Sequence, residues 1–203
     1  MNPLLELTDL PAFDQIRPEH VEPAVDQTLA EVRGQIENLL QAGPPFSWEA
    51  TLAPLELALN RLHRVWSPVS HLNAVVNSDA LRDAYNACLP KLSALETELG
   101  QHEGLYRAVK AIADSPEFGQ LNPAQQQSVR HRLRDFRLMG IALDVRGRAR
   151  FGEIRQRLSE LQSRFQENLL DATHGWNKTV SDETLLSGLP DSARDLEIGR
   201  AHV

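Results

Sequence analysis

His102-Glu103 opens the one pattern in this chain that could belong to a catalytic metal centre. In a His-Glu-x-x-His helix, two His four residues apart share a face and bind zinc while the Glu activates a water. Here the fifth position is Tyr106, so the second ligand is missing. The chain has seven His, and no other pair of them is spaced i, i+3 or i, i+4. His63 and His71 are separated by Pro68, and His131 lies between Arg130 and Arg132, which disfavours a cation. Cys88, the single cysteine, sits in the helical run Tyr85-Asn86-Ala87-Cys88-Leu89 with no base beside it. That context predicts a buried thiol rather than a nucleophile, and one cysteine allows no internal disulfide. His71, in Ser70-His71-Leu72-Asn73, could serve a polar site, but at a break between helices such a group more often caps backbone. Trp176, after Thr173-His174-Gly175, reads as an anchor at a helix end with Gly175 as the stop. There is no Gly-x-Ser-x-Gly elbow and no Gly-rich phosphate loop. The expected set of catalytic, cofactor-binding and metal-binding residues is therefore none.

Composition narrows the class. A chain of 203 residues with 41% apolar and 24% charged residues is that of a globular domain able to bury a sizeable core. Its net charge of −7 argues against nucleic acid or an anionic membrane as a partner. Locally, nine Arg between Arg130 and Arg157 face only Asp135, Asp144 and Glu153, a balance of +6. No aromatic interleaving of the kind used by single-strand binders accompanies them, so a solvated or inter-domain face is expected. No signal peptide or stretch of about 18 apolar residues is apparent, and a reducing, cytoplasmic setting follows.

The elements that must position these residues are helices. From Asp144 to about Asn177, Phe151, Ile154, Leu158, Leu161, Phe165 and Leu169 step by 3, 4, 3, 4 and 4. That predicts a long helix capped by Asp144, a spine on which the others pack, with Glu153–Arg157 and Glu160–Arg164 on its wet face. A first helix starts at Pro18 with the stripe Val21, Val25, Leu29, Val32, Ile36 and Leu39 or Leu40, and stops at Gly43-Pro44-Pro45. Ser47 caps a second, carrying Leu52, Leu55, Leu59, Leu62 and Trp66, which Ser67-Pro68 should break. Ser78 caps a third with Leu81, Tyr85, Leu89, Leu92, Leu95 and Leu99, kinked by Pro90 and weakened at Gly100 and Gly104. Asn122-Pro123 opens a helix through Val129, Leu133 and Phe136 that ends at Gly140. With no period-2 alternation and short loops, the fold class is all-α, an antiparallel helical bundle or array.

Several segments resemble one family. Arg17-Pro18-Glu19-His20-Val21-Glu22-Pro23-Ala24-Val25, Ser67-Pro68-Val69-Ser70-His71-Leu72-Asn73 and Gln101-His102-Glu103-Gly104-Leu105-Tyr106 look like the N-terminal region of the thimet oligopeptidase family of zinc metallopeptidases. So do Leu133-Arg134-Asp135-Phe136, Phe151-Gly152-Glu153-Ile154, and Leu170-Asp171-Ala172-Thr173 with Gly175-Trp176. The resemblance implies a helical two-lobed hydrolase whose channel admits short peptides, with the zinc-binding His-Glu-x-x-His helix in a second lobe. Residues 1–196 would be an incomplete N-terminal helical domain, non-catalytic by itself, forming part of the substrate channel and lacking its catalytic lobe as partner. Zinc would belong to the parent enzyme and not to this portion. The alternative from another class is a free-standing helical protein-interaction module. Residues 197–203 continue no helical pattern, and the codons GAG-ATC-GGA-AGA-GCA-CAC-GTC that could encode them read like a sequencing-library adapter, so a non-native tail is expected there. A lobe without its partner should expose apolar residues, for which Leu138, Ile141, Leu143, Leu185, Leu186 and Leu189 are candidates.

Overall fold

A computed structural model of the chain describes residues 2–6, 10–76 and 78–198. Among these residues there are seven α-helices and no strand, so the chain is all-α. It divides into two compact units, residues 1–165 and 166–203.

Helix α1 (Pro18–Ala42) organises the first unit. Its expected stripe is real: Val21, Val25, Leu29, Val32, Ile36 and Leu39 are all buried, joined by Ala24 and Thr28. Thr28 tolerates burial because its hydroxyl donates to the carbonyls of Ala24 and Val25 at 2.9 and 3.1 Å. Gly43 ends the helix at φ 67°, in the left-handed region that favours glycine. α1 packs chiefly on α2 (Ala53–Val75) and α3 (Asp79–Gly100). Ion pairs rim these seams: Arg61 with Glu31, Arg33 with Glu98, and Lys91 with Glu22 and Asp26. Trp66 of α2 stacks on Tyr85 of α3 with ring centroids 4.7 Å apart.

Caps fall where short polar residues precede apolar runs. Ser47 accepts from the Ala50 N–H and opens a π-helical turn, Trp48–Leu52, that feeds α2. Ser78 caps α3 through the Leu81 N–H, and Asn122 caps α5 (Pro123–Leu138) through the Gln125 N–H. α2 does not break at Ser67-Pro68; it runs on to Val75. A proline inside a helix costs about 3 kcal/mol. Here Val65, Pro68 and Val69 are buried side by side, and their burial offsets that cost. His71 and Asn73 therefore lie on a helix and not at a break.

Helix α4 (Glu103–Ala113) packs on α5, with Leu105, Ala108, Val109 and Ile112 buried. α3 ends at Gly100, where a Cβ would lie 2.4 Å from Met139 Cβ, so glycine permits the close approach of α3 to the end of α5. Asp144 caps α6 (Val145–Gly175), accepting from the Gly147 N–H at 2.7 Å. The extent of this helix matches its periodicity, but its role does not. Ser163 is its only buried residue, and the stripe read as a spine lies open: Ile154 is 45% exposed, Leu158 49%, Leu161 44% and Phe165 70%. Along its exposed side Arg150–Glu153 and Arg157–Glu160 pair at i, i+3, where the expected pairs Glu153–Arg157 and Glu160–Arg164 are spaced i, i+4.

In the second unit, the end of α6 carries an exposed Leu169, and α7 (Asp191–Ile198) follows a short 3₁₀ turn. Glu197 and Ile198 close α7, so the expected tail begins in helix, and its residues 199–203 lie outside the described residues.

Candidate functional site

The residues with chemical potential are mostly engaged in structure. His102 is the N-cap of α4: its Nδ1 accepts from the Leu105 N–H at 3.3 Å. Glu103 pairs with Arg148 at 2.8 Å, and that guanidinium holds its carboxyl below the usual carboxylate range. Tyr106, in the position a second zinc ligand would take, meets Phe136 edge-on at 5.7 Å. Among the described residues, no group of three His, Cys, Asp or Glu is placed to hold a metal ion.

Cys88 is buried, and removal from water pushes its thiol up to about 11 despite the opposing pull of Lys91. Lys91 is itself raised, first by its hydrogen bond to Asp26. His71 is exposed on α2, its ring 5.6 Å from that of Phe13. Trp176, expected as an anchor at a helix end, is 72% exposed just past the last residue of α6.

The Arg-rich segment dissolves into local contacts. Arg132 pairs with Glu56, Arg134 with Asp135, Arg148 with Glu103, Arg150 with Glu153, Arg155 with Glu96 and Arg157 with Glu160. Arg130 lies over the Phe118 ring at 5.3 Å. Arg148 does most for the structure, donating also to the carbonyls of Leu143 and Ile141 at 2.9 and 3.0 Å. It ties the turn between α5 and α6 to the start of α4.

What remains open is one face of α6 within the first unit. Arg155 with Glu96, and Ser163 with Asn86 at 2.9 Å, turn a polar side of the helix toward α3. The apolar stripe is left beside that contact. Next to it runs a groove of about 400 Å³ with Leu59, Leu62 and Trp66 of α2 and Leu92 and Leu99 of α3 on its floor. Arg155, Leu158 and Gln162 of α6 form its other wall. Leu138 and Leu143 are exposed nearby in sequence, as expected, but Ile141 is only 8% exposed and belongs to the core. In the second unit Leu185 and Leu189 are exposed, while Leu186 is half-buried. The groove escaped sequence reasoning because its walls come from three helices, whereas the stripe was visible as a period and misread only in direction.

Residues 25–148 match the family described as neurolysin/thimet oligopeptidase, N-terminal domain, and the chain belongs to that family. Within it, the chain is similar to the N-terminal region of oligopeptidase A, a peptidase. It is 50% identical over 192 residues to oligopeptidase A of Haemophilus influenzae and 48% identical over 192 residues to those of Salmonella typhimurium and Escherichia coli. Each alignment covers 95% of this chain and 28% of the relative. A dipeptidyl carboxypeptidase of Escherichia coli is more distant, 25% identical over 195 residues, covering 94% of this chain and 29% of the relative. The chain thus spans little more than a quarter of the curated relatives it matches. No helix among the described residues is long and apolar enough to cross a membrane.

Proposed function

We propose that this chain is the N-terminal, non-catalytic portion of a cytoplasmic zinc metalloendopeptidase that hydrolyses short oligopeptides, and that it forms part of the wall of the substrate channel. The observation that carries this reading is an identity near 50% sustained over 95% of the chain, but over only 28% of oligopeptidase A. Zinc and the groups that act on the peptide bond belong to the remainder of the full-length protein, which is the first partner of this lobe; short peptides are the second. The exposed face of α6 fits the same picture, since Ile154, Leu158, Leu161 and Phe165 form a contiguous row of open apolar side chains on one helix, and contiguous apolar surface ordinarily marks an interface. It also fits a free-standing interaction module, and activity separates the two.

The test replaces the matched N-terminal region of Escherichia coli oligopeptidase A with residues 1–196 of this chain. The hybrid should cleave a quenched oligopeptide in a zinc-dependent way, and the isolated chain should not. A folded hybrid without turnover, or turnover by the isolated chain, would refute the reading.

A further inference from the structure

We infer that the α6 stripe seats an acidic-flanked amphipathic helix supplied by the rest of the full-length polypeptide, an inference that rests on reading the chain as an N-terminal lobe. Set out in sevens, Phe151, Leu158 and Phe165 occupy one seam position of α6, and Ile154 and Leu161 the other. That alternation of 3 and 4 is the spacing with which one helix takes another. All of Ile154, Leu158, Leu161 and Phe165 are open to solvent, and Leu158 also walls the groove of about 400 Å³, which has room for one large apolar side chain from the partner seam.

The flanks decide the partner. Arg150, Arg157 and Arg164 recur every seven residues along one edge of the seam. Arg150 and Arg157 each spend an N–H on Glu153 and Glu160, at 2.7 and 2.9 Å. A guanidinium has five N–H donors, so both retain others for a carboxylate across the seam, and Arg164 is exposed. An antiparallel second copy of α6 would set these arginines against one another, and a parallel copy would set Arg150 against Arg155, so self-pairing carries a like-charge penalty. A helix with Glu or Asp on its flanks meets no such penalty. Its source is the larger part of the protein, because this chain spans only 28% of the oligopeptidases A it matches.

Fluorescence titration of the 203-residue chain tests this with two synthetic helices of about three heptads, Leu at every seam position, carrying Glu or Lys on both flanks. The Glu helix should bind about tenfold tighter at low salt, and the difference should shrink as salt is added. Arg157→Glu combined with Arg164→Glu should invert the order. Leu158→Glu, at a half-exposed position where the helical spectrum should survive, should weaken both by about tenfold or more. Overlapping peptides covering Escherichia coli oligopeptidase A beyond its matched region supply the third probe. Those that bind should be amphipathic with acidic flanks and should compete with the Glu helix. Equal affinity for the two synthetic helices, an order unmoved by the double reversal, no competing peptide in the overlapping set, or self-association tighter than binding of the Glu helix would each overturn the inference. Turnover by the hybrid enzyme bears on the lobe reading alone, and these affinities are measured without it.

Discussion

The sharpest energetic contrast in the molecule lies between two leucines on two apolar stripes. Leu29 in α1 is 3% exposed, while Leu158 in α6 is 49% exposed. Leu29→Ala removes a fully packed side chain and leaves a cavity that the surrounding helices can only partly close, so it should cost about 2–5 kcal/mol. Leu158→Ala removes the same atoms, but half of their surface is already in water and the space opens to solvent. At about 0.8 kcal/mol per buried methylene, the loss falls to about 1 kcal/mol with no cavity term. Urea melts followed by far-ultraviolet dichroism measure both, with unchanged m-values as the check that only the native state has been altered. Had the α6 stripe been the core its periodicity suggests, Leu158→Ala would cost as much as Leu29→Ala. Equal losses in the isolated chain would therefore refute the outward orientation of α6.

Cys88 is raised to about 11 in the folded chain, so stability should be fully present below the unfolded thiol value near 9 and decline between there and 11; Cys88→Ala should remove its share of that slope in alkaline melts, leaving that of Lys91. Arg148→Ala should cost about 1–3 kcal/mol in a urea melt, and Arg148→Lys should restore little, because only the guanidinium reaches Glu103 and two carbonyls together. In α1 nothing lies within 4 Å of a Cβ built on Gly34, so Gly34→Ala should raise stability by about 0.5–1 kcal/mol. Gly100→Ala should lower the melting temperature, because its Cβ would sit 2.4 Å from that of Met139.

Local signals in the chain were easy to read where one residue type does one job. Ser47, Ser78, Asn122 and Asp144 all cap the helices expected of them, and the α1 stripe is the centre of the core. Pro68 misled because the cost of a proline is local, whereas the burial of Val65 and Val69 that offsets it depends on α1 and α3 arriving alongside. His102 looked like half of a metal motif because His-Glu is also a sound helix start, a ring nitrogen to cap and a carboxylate for the first turn. α6 shows the limit most clearly. Its period announces that an apolar face will be covered, and period says nothing about whether the cover comes from the same lobe or another.

The accessibility of that face in two settings tests the account directly. The chain's one native thiol, Cys88, is buried and its pKa raised, so Leu158→Cys places an addressable thiol at the centre of the stripe. Its rate of alkylation should be that of an exposed cysteine in the isolated chain and should fall by about tenfold or more in the hybrid carrying the catalytic remainder of oligopeptidase A. Equal, fast labelling in both proteins would contradict the account, because it would leave the α6 face uncovered in the complete enzyme.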